Sequence, residues 1–424
     1  MSIKTKQELV QGLFTASPSN FIALREQGKE IFLSQGLPSQ KSEEYRFTPI
    51  AKKLEQAITR FFPASPLSLS KEQVQNALLD GFEGDVLVFS NGYYHPEFSN
   101  QIEGMEVSIL SEKPNTPIGS IAKPEKDPFL SLNQATFSDG IFISIPSKFI
   151  CKKPILLLNF HQELDGQVIS PRIWIEVGDF SEVTFVEQGC SLGSSPYFVN
   201  KVIEIQGGVQ SQISYHRIQH EGNQVIEVSQ LETDIQRGAQ FTSFYLSLSG
   251  DLIRNNLSLH LKGSNSVGNM YGISLLQGKS LVDHHTYVDH KEPHAESNEL
   301  YKGIFGDYSR GVFNGKILVR KDAQKTNAFQ QNNNVLLSED ALINTKPQLE
   351  IWADDVKCSH GCTVGQLDEE ALFYLQARGI EKTTARGLLL FAFIAEVVDK
   401  IQIESLQKYI ITLIQERLGS KFRT

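Results

Sequence analysis

From Gly140 to Ser338 the chain is built almost wholly of short segments rich in β-branched and aromatic residues, among them GIFISIP, PILLLNF, RIWIEVG, EVTFVEQG, SQISYHRIQ, LSLHLKG and GKILVRKD. Each is bounded by Gly, Asn, Asp or Pro, and no helix-length apolar period interrupts them, so each reads as a strand. About a dozen strands in one stretch exceed a single ordinary sandwich, which leaves two sandwiches, a large barrel or a solenoid. No fixed repeat length chooses among these.

The two ends read differently. Leu9, Leu13, Phe14, Phe21, Leu24, Ile31 and Phe32 recur near the helical period, so Met1 to about Arg60 is expected to be helical. Ser70 and Gln73 form a capping box ahead of a short helix, and Asp85 to Phe89 is a strand before the Asn91-Gly92 turn. Prolines 114, 117, 124 and 128 crowd a connector. This gives an N-terminal helical or mixed domain over 1–120, a β core over 121–366 and a helical domain over 367–424. In the last, Asp368 is the expected N-cap of EEALFYLQAR and Gly379 its stop. A second helix, about Thr383 to Ile401, is apolar nearly all round, and a third runs from Glu404 to Leu418. A helix apolar on every side must be buried on several. Either it covers the open end of the β core or part of it, Leu388, Leu389, Phe391 and Phe393 included, meets a partner.

Charge narrows the partners. A net charge of −9 with no basic stripe speaks against nucleic acid. The N-terminus has no apolar leader core, and no apolar run approaches the roughly 18 residues of a membrane span. Cysteines 151, 190, 358 and 362 form no disulfide framework at this length, so a cytoplasmic chain with reduced thiols is expected. Phosphate-binding loops of the G-x-x-x-x-G-K-[ST] and G-x-G-x-x-G kinds are absent, as is a G-x-S-x-G elbow, so ATP hydrolysis would have to come from a partner.

Chemistry concentrates in KPQLEIWADDVKCSHGCTVGQLDEEALFYLQARG, Lys346 to Gly379. Gln348 to Val356 is expected to be a strand. If it persists, Cys358 and His360 share one face at i and i+2, and Gly361 permits a bend before Cys362. A thiol and an imidazole side by side suit zinc, copper or iron–sulfur chemistry, yet C-x-H-x-C lacks the second ligand pair of a closed site. The bland alternative is a small buried Cys beside a hydrogen-bonded His.

EIWADDVKCSHGCTVGQLDEEALFYLQARGI, with RGVFNGKILVRKDAQKTNAFQQNNNVLLSEDALINTKPQLE before it, resembles the SufB/SufD family of the SUF iron–sulfur cluster assembly system. The likeness is specific over Tyr301 to Val398 and looser through the strand-rich middle. It implies a right-handed parallel β-helix as the core. It implies a non-catalytic scaffold subunit that pairs with SufB through its last strands, carries the ATPase SufC on its C-terminal helices and forms a homodimer when isolated. His360, with Cys358 beside it, is carried over as a ligand to a nascent cluster shared with SufB, none being tightly bound by the chain alone. Asn332, Asn333 and Asn334 stand where the SufB branch carries a cysteine, which favours the SufD branch over its paralogue. Cys362 stands where relatives more often have a small residue and receives no role.

The run LVDHHTYVDHKEPHAES offers a metal reading, but His284 and His290 would lie roughly 20 Å apart on an extended strand. A polar ladder between stacked coils fits better, and the three asparagines suggest a similar ladder at a stacked turn. The rival from another class, a β-helix enzyme acting on polysaccharides, needs two carboxylates across a groove, whereas Asp354 and Asp355 face opposite sides of a strand. Cys151 and Cys190 read as core filler.

Overall fold

The computed structural model describes residues 21–57, 62–162 and 167–419. The expected helical residues Leu9, Leu13 and Phe14 lie outside them. From Ile155 to Gln366 successive strands alternate between two sheets. One takes Arg172–Val177, Tyr197–Gly207, Val225–Ile235, Leu252–Leu261, Leu281–His290, Arg310–Val319 and Leu342–Ile351. The other takes Ile155–His161, Glu182–Ser191, Gln212–Gln219, Gln240–Ser247, Val267–Leu276, Glu296–Phe305, Asn327–Leu336 and Lys357–Gln366. Every pairing among them is parallel, as in a parallel β-helix of about eight coils.

The pairing explains why no repeat length shows in the sequence. Tyr197 stands beside Val225, 28 positions on, and Ile226 beside Leu252, 26 on. Leu281 stands beside Arg310, 29 on, and Arg310 beside Leu342, 32 on. The strands are in register, but the turns between them differ in length, so the period drifts.

Alternation sorts the side chains. Phe185, Tyr215, Phe241, Met270, Tyr301, Phe313 and Ile317 point into the lumen and form one continuous core. The helices cover the flanks. Helix α1 (Ile22–Gln35), α2 (Ile50–Ala57) and α4 (Pro128–Thr136) pack Phe32, Leu54 and Phe129 on Phe198, Val228 and Leu252 of the first sheet. Helix α1 approaches α4 so closely that a Cβ on Gly28 would stand 2.8 Å from the Ala135 nitrogen. The short helix α3 (Lys71–Asn76) has its capping box, Ser70 with Gln73. On the second sheet lie α6 (Lys382–Val398) and α7 (Glu404–Leu418), with Leu390, Ile394, Ile410 and Ile414 against Leu246, Ile273 and Ile304. Helix α5 (Glu369–Ala377) is capped by Asp368, which accepts from the Glu370 and Ala371 nitrogens at 2.9 and 3.0 Å, and Gly379 beyond it has φ +85. No helix among the described residues is long and apolar enough to cross a membrane.

Three expectations need correction. The apolar second helix is buried against the outer face of a sheet, and the open end of the lumen is not what it covers. The sheets reach back across residue 120, since Asp85–Ser90 pairs in parallel with Ile155–His161 and Glu106–Ile109 pairs with Ile141–Ile145. The connector around 120 is tied down, because the Gly119, Ile121 and Ala122 nitrogens donate to the buried Glu204 carboxylate at 2.9 to 3.0 Å. The asparagines stand within a strand and at no turn. Asn332 donates to the Tyr301 carbonyl at 3.3 Å and Asn334 to Asn332 at 2.7 Å, so no ladder of stacked asparagines forms.

Candidate functional site at the last coil

The expected strand Gln348 to Val356 is two things. Leu342–Ile351 ends the first sheet, and Trp352–Val356 turns the corner, with Ala353 packed into the core. Lys357–Gln366 is a new strand that ends the second sheet. Nothing bends at Gly361. Cys358, His360 and Cys362 therefore occupy one row at i, i+2 and i+4, over Ala328, Gln330 and Asn332 of the strand before. Those three are buried and face the lumen, so the row faces the lumen too. Among the described residues no further coil roofs it, which leaves His360 and Cys362 exposed and Cys358 half-buried at the rim of the core.

Burial pushes the Cys358 thiol up, so it is protonated near neutral pH. Consecutive members of the row are roughly 7 Å apart on an extended strand, too far for one metal ion to gather all three. Accordingly, no group of three His, Cys, Asp or Glu among the described residues is placed to hold a metal. The row therefore presents one imidazole and two thiols on the lumen side of the last coil, at the open end of the solenoid. A cleft of about 590 Å3 runs beside it, lined by Tyr271, Leu300, Gln331, His360, Glu396 and Lys400.

The open end of the solenoid is also apolar. Leu342, Ile351, Phe329 and Val364 are exposed, and Trp352 is 64% exposed at the corner. Both last strands are ten residues long and, among the described residues, paired on one side only. Long unpaired edges are templates for another chain's strands.

The C-terminal helices hold a second exposed feature. Leu388, Leu389, Phe391 and Phe393 are half-buried, and Phe391 and Phe393 pack against the cluster that joins these helices to the second sheet. The Lys302 ammonium lies 5.2 Å from the Phe393 ring and donates to the Phe393 carbonyl and to Glu396 at 2.9 and 2.8 Å. Sequence reasoning passed over Phe373 and Tyr374 of α5, which are 72% and 56% exposed. The signal was present, since Leu372 alone of that helix is buried and its two aromatic neighbours must turn away from it.

Sequence reasoning also passed over charges in the lumen. Glu187, Lys201, Arg217 and Glu227 share the inward parity of Phe185, Ile203, Tyr215 and Leu231, and all four are buried. Lys201 pairs with Glu187, and Arg217 with Glu227 and Glu187. Burial alone would raise Glu187, but the Arg217 and Lys201 cations outweigh it and hold the carboxyl down to about 2.

Glu299 differs. It is buried without a cation, holding Thr286 Oγ1 at 2.5 Å and Gln330 Nε2 at 3.0 Å, and burial pushes it up to about 7. The folded value lies above the ordinary 4.5, so the folded chain keeps a proton that the unfolded chain sheds. This term costs nothing below about pH 4.5 and grows as pH rises towards 7, to about 3 kcal/mol. Glu299→Gln is therefore expected to gain stability on wild type as pH rises through that window. Urea unfolding at several pH values checks it, and a constant difference between the two would contradict it.

His284 and His290 are both buried. His284 meets Ser274 Oγ at 3.2 Å and Asn255 Nδ2 at 3.4 Å, so both its ring nitrogens have partners, while His290 meets Ser297 Oγ at 2.9 Å through Nε2 alone. On the outer face of the first sheet a groove of about 600 Å3 carries Glu232, Asp234 and Asp289. Each carboxylate is matched to a cation: Glu232 to Lys126 and His260, Asp234 to Lys262, Asp289 to Arg320. Glycoside hydrolysis needs one carboxyl poised as an acid opposite a second as base or nucleophile, and ion-paired carboxylates do not provide that.

Known proteins are similar to this sequence over nearly its whole length. Residues 160–393 match the family model described as SUF system FeS cluster assembly, SufBD core domain, and residues 6–157 match the SufBD protein N-terminal region. The chain is 32% identical over 419 residues to an iron-sulfur cluster assembly SufBD family protein of Synechocystis sp., covering 94% of this chain and 91% of that one. It is 30% identical over 411 residues to the iron-sulfur cluster assembly protein SufD of Escherichia coli, covering 96% and 95%. To Protein ABCI7, chloroplastic, of Arabidopsis thaliana it is 28% identical over 420 residues, covering 93% and 86%. With a family model spanning its solenoid and relatives matched along nearly their whole length, the chain belongs to the SufBD family of iron–sulfur cluster assembly proteins of the SUF system.

Proposed function

We propose that this chain is the SufD-type scaffold subunit of a cytoplasmic SUF complex, without catalytic turnover of its own. It pairs with SufB through its last coil, carries the ATPase SufC on its C-terminal helices, and contributes His360 to a nascent cluster held at the SufB seam. The cluster is cargo, built and passed on. The observation that carries this reading is the row Cys358, His360 and Cys362 on an unroofed coil whose two edges lack a neighbour. Strand addition would continue both sheets and bring a second set of ligands over the row. In the absence of SufB, the same edges serve a homodimer.

The experiment is a three-component assembly of this chain with SufB and SufC, followed by size-exclusion chromatography. Val364→Lys sets a charge at the open end, on a residue already 50% exposed. It is expected to weaken pairing with SufB at least about tenfold while SufC still binds. Undiminished pairing with SufB would overturn the assignment of the seam.

Docking of SufC is placed on α5 and the neighbouring half-buried Leu388 and Leu389. Exposed aromatics on a rigid helix are the usual anchors of an interface. The pair Phe373→Glu and Tyr374→Glu removes them without disturbing the core, and is expected to cost about 2 kcal/mol or more of SufC affinity. SufB pairing should be unchanged. Titration calorimetry with SufC checks this, and wild-type affinity would move the docking surface elsewhere.

A further inference from the structure

A column of lumen-facing residues lies beneath His360. Met270, Glu299, Gln330 and His360 stand opposite one another on four successive strands. Gln330 is buried, and its Nε2 donates to Glu299 Oε1 at 3.0 Å. Its other end, Oε1, is buried with no hydrogen-bond partner. The strand on that side is the one carrying His360. Across the lumen Gly315 makes room for the amide, since a Cβ there would stand 2.3 Å from Gln330 Nε2. A buried carbonyl oxygen without a donor is costly, and a native fold that keeps one calls for an explanation.

The company of Glu299 supplies one. The other acids buried most deeply in this chain have cationic partners: Glu187 and Glu227 have Arg217, Glu204 has Arg172, and Asp283 has Arg254. Glu299 has only a hydroxyl and an amide. The titratable groups facing this column are Tyr245, Tyr301, His284 and His290 in the lumen, Cys358 and Cys362 beside His360, and Glu396 and Lys400 of α6 across the cleft that His360 lines. Burial holds both tyrosines up and both histidines down to about 4, so all four are neutral near neutral pH.

We infer that Glu299 acts as a positioning residue for His360 through the Gln330 amide, setting which ring nitrogen of His360 stands open at the seam. A carboxylate only accepts hydrogen bonds, whereas a carboxylic acid also donates. With Glu299 ionised, the amide keeps its NH2 on the carboxylate and turns its oxygen to His360. When the His360 ring turns inward, that oxygen, unpartnered in the structure, takes the ring N–H and leaves the opposite nitrogen bare for a metal. With Glu299 protonated, its O–H donates to the amide oxygen. The amide then turns over and presents NH2 to the ring, occupying a lone pair instead. Outer partners of this kind fix the tautomer and direction of a ligating histidine. The inference rests on His360 as the ligand at the seam, and its test separates the two.

The test uses the full-length isolated chain with ring-15N histidine. The His360 signals are assigned by difference from His360→Ala, and the tautomer is read from ring nitrogen shifts from about pH 6 to about pH 8. In wild type one tautomer is expected to prevail at the upper end and to lose its dominance towards the lower. Glu299→Gln cannot ionise and should flatten the profile. Gln330→Met keeps the volume, removes the amide and should leave a mixture of tautomers at every pH. Gly315→Ala, which crowds the amide, should resemble Gln330→Met. A His360 profile that keeps its wild-type pH dependence in both Glu299→Gln and Gln330→Met overturns the relay. Cluster yield in the assembled complex is measured separately. If His360→Ala leaves that yield intact while the tautomer still follows Glu299, the ligand reading fails and the relay stands.

Discussion

His360→Ala is expected to bring the cluster yield of the assembled complex close to background and to leave the lone subunit unchanged. The side chain is exposed on the final strand and supports no coil above it, so its loss should stay within about 0.5 kcal/mol of wild-type stability. Clusters usually take about four protein ligands, and this strand offers one imidazole with a thiol on either side of it, spread along a straight line. No arrangement of that row alone encloses a cluster, so removal of one ligand is felt only when the partner has brought the others. Cys358→Ser should be milder, because its thiol is half-buried and held protonated. Cys362→Ser should fall between the two, since the straight strand places that thiol on the same row, exposed. Reconstitution with iron and sulfide, followed by visible absorption, ranks the three. Equal yields from wild type and His360→Ala would return His360 to an ordinary surface histidine.

Arg217→Ala should be the most damaging single change to the fold itself. The guanidinium is buried between Glu187 and Glu227, and burial holds all three charges away from water. Removing one partner of such a network strands the other and costs about 3–5 kcal/mol, a large share of a domain's stability. Lys201 stays near both acids, so the network retains one cation against two anions. The double change Arg217→Met with Glu227→Gln restores the balance and is expected to recover most of the loss. Urea unfolding of the two variants decides it, and a single variant as stable as wild type would show that water reaches this part of the lumen.

The β-helix was legible only in part, and particular residues show why. The alternation of Cys358 and His360 holds wherever the strand begins, so their common face survived a wrong boundary. The boundary failed because Ile351, Trp352 and Ala353 look like strand, and the Trp352 nitrogen does extend the ladder to the Val319 carbonyl at 2.9 Å before the chain turns. Coil lengths from 26 to 32 hid the repeat that would have separated a solenoid from two sandwiches. The lumen charges were readable, because Glu187 is two positions from Phe185 in EVTFVEQG, but alternation says only that they point inward. That they neutralise one another depends on partners 10 to 30 residues away, brought together across the lumen and, for Arg217 and Glu187, by coil stacking. The exposure of His360 is the least legible of all, since it follows from the ending of the second sheet at Gln366.

The unroofed coil also has a direction. Within this chain every neighbouring strand of the solenoid, from Ile155 onwards, runs the same way. A related chain that joins edge to edge about a two-fold axis must bring its strands in reversed, because the axis inverts them. The seam would then be an antiparallel ladder set into an otherwise parallel solenoid, with bonds perpendicular to the strands and spaced in alternating pairs. Such a ladder is a mechanical discontinuity. It can shear or part along its whole length while the coils on each side keep their own register, and cargo held there would be released without unwinding either half.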